Sequence, residues 1–159
     1  MEDNSNQQEK EFDKLMDEYE ALEGKIVKEN EVMISQFAYY LKTEKRLADK
    51  TITEHCNNVS FYINVYLIRA GFLRMDKGAE SFYLMDYFGY FFINKCMWST
   101  PYTIQTTAAS IRKFYQYAYS QKWITDEQWD DCRTTIREEK EHWAELCRDY
   151  NEGFEDIDW

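Results

Sequence analysis

The chain has 159 residues, 44% of them hydrophobic and 18% aromatic, which is enough apolar material for one packed domain with helical extensions. One proline and five glycines are too few for many strands and turns, so the composition favours long helices. No run of about 18 uncharged apolar residues occurs, and the polar start lacks the apolar core of a signal peptide. The sequence therefore argues against a membrane span and against secretion, and it predicts a cytoplasmic protein.

The net charge of −11 is distributed unevenly along the chain. Residues 1–30 carry −6, residues 31–122 carry +4 and residues 123–159 carry −9. Because lysine and arginine must neutralise DNA phosphates, the total charge argues against DNA binding, whereas the middle segment is compatible with it. The predicted units are an acidic N-terminal helical extension (1–30), a helical domain (31–125), a C-terminal amphipathic helix (126–150) and an acidic tail (151–159).

The N-terminal extension carries one apolar seam on an otherwise charged helix. Its members follow at spacings of three and four: Phe12, Leu15, Tyr19, Leu22 and Ile26. Such a seam needs a partner surface. Because it spans only about two heptads, we expect it to dock on the chain's own domain rather than to form a dimeric coiled coil.

The helical domain begins with a helix whose Phe37, Tyr40 and Leu41 are predicted to point inward, followed by a short basic loop. Thr51 and Glu54 have the spacing of a capping box, which predicts the start of the second helix. Its predicted inward face is Ile52, Cys56, Val59, Ile63 and Leu67, and Gly71 marks its predicted end.

A third helix is predicted within residues 81–98, which are apolar on nearly every side and should be surrounded by neighbours. Ser99, Thr100 and Pro101 predict the start of a fourth helix, since a hydroxyl can cap it and proline suits its first position. Its predicted inward face is Ile104, Ala108, Ile111, Tyr115 and Ala118, beside a polar stripe of Thr103, Thr106, Ser110 and Lys113. The stripe suits a DNA major groove, although solvent-facing helices often carry the same residues.

The C-terminal segment begins with another capping pattern, from Thr125 to Gln128. Apolar residues then follow at helical spacing, namely Trp129, Cys132, Ile136, Trp143, Leu146 and Tyr150. This pattern predicts an amphipathic helix that docks on a surface. The last stretch alternates carboxylates with Phe154, Ile157 and Trp159, a composition that can stay solvated or occupy a basic groove.

Residues 37–63 contain an apolar helix ending in Tyr-Leu, a short basic loop, a leucine and a Lys-Thr-Ile start to the next helix. Residues 99–124 contain a small-residue cap, a threonine-rich face, the run Ile-Arg-Lys-Phe-Tyr and an exit through Trp-Ile. Both segments resemble the core-binding domain of tyrosine recombinases, the phage integrase family, which is also called a SAM-like domain. The matching residues are Phe37, Leu41, Leu47, Lys50, Thr51, Ile52, Ile111, Arg112, Lys113, Phe114, Tyr115, Trp123 and Ile124.

The resemblance, over about residues 31–125, implies an all-α fold, a compact bundle of four to five helices with amphipathic N- and C-terminal helical extensions. In that family the domain closes over one face of double-stranded DNA, which implies DNA binding in recombination, integration or mobile-element regulation. The implied DNA contacts are Lys45, Arg46, Lys50, Thr51, Thr53, Thr103, Thr106, Arg112 and Lys113. Further partners to expect are a full-length recombinase, or a second copy bound through the terminal helices.

The family cleaves DNA with a separate catalytic domain that carries an arginine and histidine constellation and a nucleophilic tyrosine. Only 37 residues follow Lys122, so we expect no catalytic domain and no enzymatic activity. No glycine-rich phosphate loop or metal motif occurs in the sequence, and we expect no cofactor and no metal. The alternative is a protein-interaction or DNA-mimic regulatory module that has lost DNA affinity and acts through its acidic flanks.

The remaining clusters of reactive residues are interpreted as structural. The four cysteines lie far apart without a CxxC pair, which predicts reduced, mostly buried thiols at Cys56, Cys96, Cys132 and Cys147. His55 beside Cys56 and His142 near Cys147 do not have the four convergent ligands of structural zinc. On the last helix, acidic and basic residues alternate and predict a salt-bridged solvent face, formed by Glu138, Glu139, Glu141 and Glu145 with Arg137, Lys140 and Arg148.

Overall fold

The structure, a computed structural model, describes residues 2–95 and 99–155, and this part of the chain is all-α, without strands. The helices are α1 (Glu2–Thr43), α2 (Asp49–Ser60), α3 (Leu67–Gly71), α4 (Ser81–Asp86), α5 (Phe92–Lys95), α6 (Pro101–Ser120) and α7 (Asp126–Glu155). Two π-helical stretches, Phe61–Tyr66 and Tyr87–Phe91, join α2 to α3 and α4 to α5. The described part therefore forms a bundle of five helical units, which confirms the predicted fold class.

Helix α1 runs without a break through residue 30, where the charge of the sequence changes sign. Ile26 and Asn30 are buried, and the Asn30 amide donates to the backbone oxygen of Ile63 at 3.3 Å and to the side-chain oxygen of Asn64 at 2.8 Å. These contacts anchor the helix to the bundle from residue 26 onward.

The N-terminal seam docks only in part. Ile26 is buried and Tyr19 stacks on Phe72, with ring centroids 5.3 Å apart. The predicted docking is wrong for Phe12, Leu15 and Leu22, which are exposed. For Phe12 and Leu15 the physical reason is length, because α1 extends past Tyr19 and its contact with the bundle. Leu22 lies between Tyr19 and Ile26, so length does not explain its exposure.

The basic loop between α1 and α2 is confirmed, and Arg46 turns the chain in the left-handed region at φ 53°. The predicted capping box at Thr51 is wrong. Helix α2 begins at Asp49, after an extended Ala48 whose backbone oxygen accepts from Ile52 N at 3.0 Å. Thr51 lies inside the first turn, where the acidic Asp49 suits the exposed amides at the positive end of the helix.

The predicted inward face of the second helix is confirmed, since Ile52, Val59, Ile63 and Leu67 are buried and Cys56 is half-buried. The helix ends at Gly71 as predicted. Gly71 has φ 145° and Phe72 is left-handed, so the chain turns back with Phe72 N bonded to the oxygen of Ile68 at 2.9 Å.

The third helical unit, α4 to α5, is not surrounded by its neighbours as predicted. Leu84, Tyr87, Phe88, Phe92 and Ile93 are buried, but one face is open to solvent through Phe82, Met85 and Tyr90. The unit packs against α7, against the short 3-10 helix Met75–Ala79 and, through Tyr87, against the rings of Tyr62 and Tyr66. The face with Phe82, Met85 and Tyr90 has no such cover and stays exposed.

Two tyrosine hydroxyls tie the 3-10 helix Met75–Ala79 into the core. Tyr62 donates to the backbone oxygen of Gly78 at 2.6 Å, and Tyr115 donates to that of Met75 at 2.7 Å. Gly78 is required there, because an added Cβ would overlap the Tyr115 hydroxyl and lie 2.9 Å from the Tyr62 ring.

The predicted cap of the fourth helix is confirmed. Thr100 is the N-cap of α6, Pro101 is its first residue, and Thr100 exchanges capping hydrogen bonds with Thr103. The inward face is confirmed as well: Ile104, Ala108, Ile111, Tyr115 and Ala118 are all buried.

The amphipathic C-terminal helix is confirmed as α7, and the Thr125 to Gln128 capping pattern forms with bonds of 3.0 and 3.1 Å. The helix contributes Cys132, Ile136 and Trp143 to the same core as α6. Trp143 stacks on Phe88 with ring centroids 4.6 Å apart. The surface on which the predicted amphipathic helix docks is therefore this chain's own bundle.

The thiol prediction is confirmed for Cys132 and Cys147, which are buried and free, while Cys56 is free and half-buried. Cys96 lies outside the described residues, as do Ile157, Trp159 and the side chain of Phe154 in the acidic tail. No described helix is both long enough and apolar enough to cross a membrane.

Candidate nucleic-acid interface

Helices α2 and α6 pack against each other through a buried polar contact at Ser110. Its hydroxyl lies 2.7 Å from His55 Nδ1, accepts from the Asn58 amide at 3.0 Å and donates to the backbone oxygen of Thr106 at 3.0 Å. Ser110 is 1% exposed, so it fastens the two helices together. The predicted polar stripe on α6 is thus interrupted, since Ser110 cannot reach a DNA groove.

Beside this contact runs an open groove between α2 and α6. It is lined by Glu54, His55, Asn57, Asn58, Tyr102, Thr106, Ala109 and Ser110. Tyr102 is 74% exposed, and Asn57 is exposed on α2. We did not predict Asn57, Asn58 or Tyr102 from the sequence. The asparagines lie one helical turn after Glu54 and could have been found only from the position of α6.

A cluster of cations, which we call the basic end, lies beside this groove. Lys45 and Lys113 line one small cleft, although they are 68 residues apart in the chain. Arg46 and Lys50 are exposed in the adjoining loop and first turn of α2. None of these four forms an ion pair within 4.0 Å with another described residue, whereas Lys42 nearby pairs with Asp49 at 3.4 Å.

Three of the four threonine contact candidates use their hydroxyl protons within their own helix. Thr53 donates to the backbone oxygen of Asp49 at 2.9 Å, Thr103 to that of Thr100 at 3.0 Å and Thr106 to that of Thr103 at 3.2 Å. A phosphate oxygen accepts hydrogen bonds and needs a donor, so these side chains must rotate before they can bind one. Thr51, the fourth candidate, is half-buried in the first turn of α2.

Arg112 does not belong to the basic end. Its guanidinium lies over the Trp129 ring of α7, 5.8 Å from the ring centroid. Neighbouring residues of a helix point about 100° apart, and Lys113 accordingly lines the cleft with Lys45. The structure therefore separates two adjacent cations that the sequence placed together.

The surroundings of His55 in the groove favour the neutral form of its ring. Burial, and then the nearby charge of Lys113, lower its pKa below the ordinary value, while Glu54 acts in the opposite direction. The neutral form of the ring adds no positive charge to the surface. The positive charge of this face therefore comes from the basic end, whereas Glu54 contributes a negative charge to the groove.

The predicted salt-bridged face of α7 does not form. The predicted face consists of four glutamates and three cations, and none of them has an ion-pair partner within 4.0 Å among residues whose side chains the structure describes. The ion pair found on this helix joins Arg133 to Asp130 at 2.8 Å. A carboxylate-lined pocket also lies at the start of α7, with Glu80, Glu127, Asp130 and Asp131. Within the described ranges no three His, Cys, Asp or Glu side chains are placed to hold a metal ion.

Comparison of the chain with protein-family models, with curated proteins and with solved structures finds no match. What the surface can do chemically follows from its own groups. It offers four cations without ion-pair partners among the described residues, together with amides and a phenol in an open groove.

Proposed function

We propose that the chain is a non-catalytic DNA-binding module, and that the basic end and the α2–α6 groove contact double-stranded DNA in recombination, integration or mobile-element regulation. One observation carries the proposal. In a chain of net charge −11, Lys45 and Lys113 share one cleft, Arg46 and Lys50 are exposed in the adjoining loop and first turn of α2, and none of the four has an acidic partner within 4.0 Å in the described structure. The resemblance of the two segments to the recombinase domain supports the same face.

The groove also argues against catalysis by its only serine and histidine pair among the described residues. Ser110 lies 2.7 Å from His55, as a nucleophile and its base would. The serine is 1% exposed, however, and its hydroxyl also bonds the Asn58 amide and the Thr106 carbonyl. A substrate cannot reach this oxygen, so the pair is structural.

The size of the cluster sets the expected strength and salt dependence of binding. Each phosphate that a cation neutralises releases counterions and makes the slope of log association constant against log salt concentration more negative by about 0.9. Four contacts therefore give a slope of about −3.6, and raising the salt fourfold from about 50 mM should weaken binding roughly 150-fold. The contact is small and should be of low affinity by itself.

The matched pair Lys113→Ala and Arg112→Ala tests the proposal. We measure fluorescence anisotropy of a labelled mixed-sequence duplex with the full chain between 50 and 200 mM salt. Lys113→Ala should weaken binding and make the slope shallower by about 0.9, because a phosphate contact is lost. Arg112→Ala should leave the slope unchanged, since that side chain lies over Trp129.

Two results would contradict the assignment. The first is no binding at 50 mM salt by a chain that circular dichroism shows to be folded. The second is an equal change of slope in both variants, because the basic end would then not be the contact surface. Neither result depends on the DNA sequence, since phosphate contacts are sequence-independent.

A protein-interaction or DNA-mimic module is the second candidate, and the acidic face of α7 favours it. Glu138, Glu141 and Glu145 are exposed and have no ion-pair partner within 4.0 Å in the described structure. Carboxylates in a row can present the charge that a basic protein surface recognises. Failure of the folded chain to bind DNA would favour this candidate.

A further inference from the structure

The N-terminal half of α1 carries an exposed apolar face that the bundle does not cover. Every residue from 3 to 25 is exposed. Five large apolar side chains nevertheless lie on one side of this helix, and we call them the α1 seam: Phe12, Leu15, Met16, Tyr19 and Leu22. Phe12 is 61% exposed and Leu22 is 39% exposed.

The spacing of the α1 seam is that of a helix-packing surface. Phe12, Leu15, Tyr19 and Leu22 follow at spacings of three and four, Met16 lies four residues after Phe12, and Ile26 continues the same line into the bundle, where it is buried. Tyr19 stacks on Phe72, so the bundle already covers one flank of the seam at that point. The stretch from Phe12 to Leu22 is about 15 Å long at 1.5 Å per residue, which is three turns of a partner helix.

Charges beside the seam indicate which partner fits. Where two helices pair through such a seam, the residues that flank it meet the flanking residues of the partner. The flanking positions of the α1 seam hold Glu9, Glu11, Glu18 and Glu23, with Lys25 as the single cation among them, and all five are exposed. The surface around the seam is therefore strongly acidic.

A second copy of the chain fits this surface poorly. In a parallel pair, Glu18 of each copy would meet Glu23 of the other. In an antiparallel pair, Glu9 of each copy would meet Glu23 of the other, and the two Glu18 side chains would meet each other. These three repulsive contacts outnumber the two favourable ones, in which Lys25 of each copy meets Glu11 of the other. Like charges are juxtaposed in both orientations, so the acidic flanks disfavour self-association.

We propose that the α1 seam binds an amphipathic helix of another protein, whose apolar stripe is flanked by lysine and arginine. The apolar residues would supply the contact area, and Glu11, Glu18 and Glu23 would select a basic partner. The surface is separate from the basic end, so this inference stands or falls independently of DNA binding.

Two synthetic helical peptides with the same leucine stripe test the inference, one with lysine and one with glutamate at the flanking positions. Both are titrated into the full chain at 150 mM salt and followed by fluorescence anisotropy. The lysine peptide should bind at least about tenfold more tightly than the glutamate peptide. Glu18→Lys with Glu23→Lys should reverse this preference.

A matched pair of double variants separates the seam from general charge attraction. Leu15→Gln with Leu22→Gln should weaken binding of the lysine peptide about tenfold or more, because apolar contact is lost while the acidic charge is kept. Val32→Gln with Tyr39→Gln alters two exposed apolar residues elsewhere on α1 and should change nothing. All four positions are exposed, so the fold should be retained.

Four outcomes would overturn the inference. The peptides could bind equally well or not at all, or binding could survive the change at Leu15 and Leu22. Sedimentation velocity could instead show a dimer of the full chain that the same double variant dissolves, which would make a second copy the occupant. Each outcome is distinguishable from a failure to bind DNA.

Discussion

Removing the Trp143 side chain should be among the most destabilising single changes in this protein. Trp143 is 1% exposed, and its ring stacks on Phe88 at 4.6 Å with an interplanar angle of 21°. Replacing a buried tryptophan by alanine costs about 3–5 kcal/mol, because the transfer free energy is lost and a cavity remains. Against a typical domain stability of about 5–15 kcal/mol, Trp143→Ala should unfold a measurable fraction of the chain under mild denaturant.

Urea unfolding followed by circular dichroism at 25 °C measures this loss, with Trp129→Ala as the matched control. Trp129 lies on the same helix but is only half-buried, with its ring 6.0 Å from that of Tyr119. We expect Trp129→Ala to cost no more than about 1.5 kcal/mol, since little apolar area is lost from the core. Equal costs for the two variants, or a cost below about 1 kcal/mol for Trp143→Ala, would refute the view that α7 is part of the core.

Two further changes test the core and the groove. Gly78→Ala should lower the free energy of unfolding by at least about 2 kcal/mol in the same urea assay, because the new methyl group would collide with the buried hydroxyl of Tyr115; an unchanged midpoint would contradict this packing. The pKa of His55 is lowered in the folded state by burial and by Lys113, so the unfolded chain binds a proton more readily and stability should fall as the pH drops below 6.5. His55→Asn should remove that part of the decline between pH 7.5 and 5.5, and an identical decline in both proteins would exclude His55 as its source.

Local chemistry explains which helix boundaries could be predicted from the sequence. The caps at Thr100 and Thr125 were predicted correctly, the first from a hydroxyl followed by proline and the second from a hydroxyl with Gln128 three residues on. Thr51 has the same spacing from Glu54, but the capping box predicted from it was wrong. Helix α2 already starts at Asp49, since Ala48 accepts the first helical bond without a side-chain cap.

The apolar pattern predicted which helix faces are hydrophobic, but not which of these faces are buried against the rest of the chain. The α1 seam and the face with Phe82 and Tyr90 are both apolar, and both stay exposed. Hydrophobic spacing identifies an amphipathic helix, whereas the extent of the neighbouring surface depends on the tertiary packing of distant residues. Ile26 and Phe12 belong to one pattern, yet only Ile26 lies within reach of the bundle.

The sequence identified the charged residues of the candidate site but not their arrangement in space. Lys45 and Lys113 were both named, but their shared cleft depends on how the end of α1 packs on α6. Arg112 was grouped with Lys113 because they are adjacent, and the aromatic ring that holds it comes from α7. Ser110 was placed on the solvent side because serine is small and polar, but its hydroxyl is needed to pair with His55 inside.

The separation of the two proposed surfaces leads to a final prediction, concerning net charge. From Leu22 to the end of α1 at Thr43 the helix is about 30 Å long, whereas charges are screened over about 8 Å at physiological salt. The acidic flanks of the α1 seam should therefore not weaken DNA binding at the basic end. We expect Glu18→Gln with Glu23→Gln to leave DNA affinity within about twofold at 150 mM salt, measured by the same anisotropy titration. A rise of about tenfold would mean that the N-terminal half of α1 lies against the DNA-binding face, and the total charge of −11 would then govern binding.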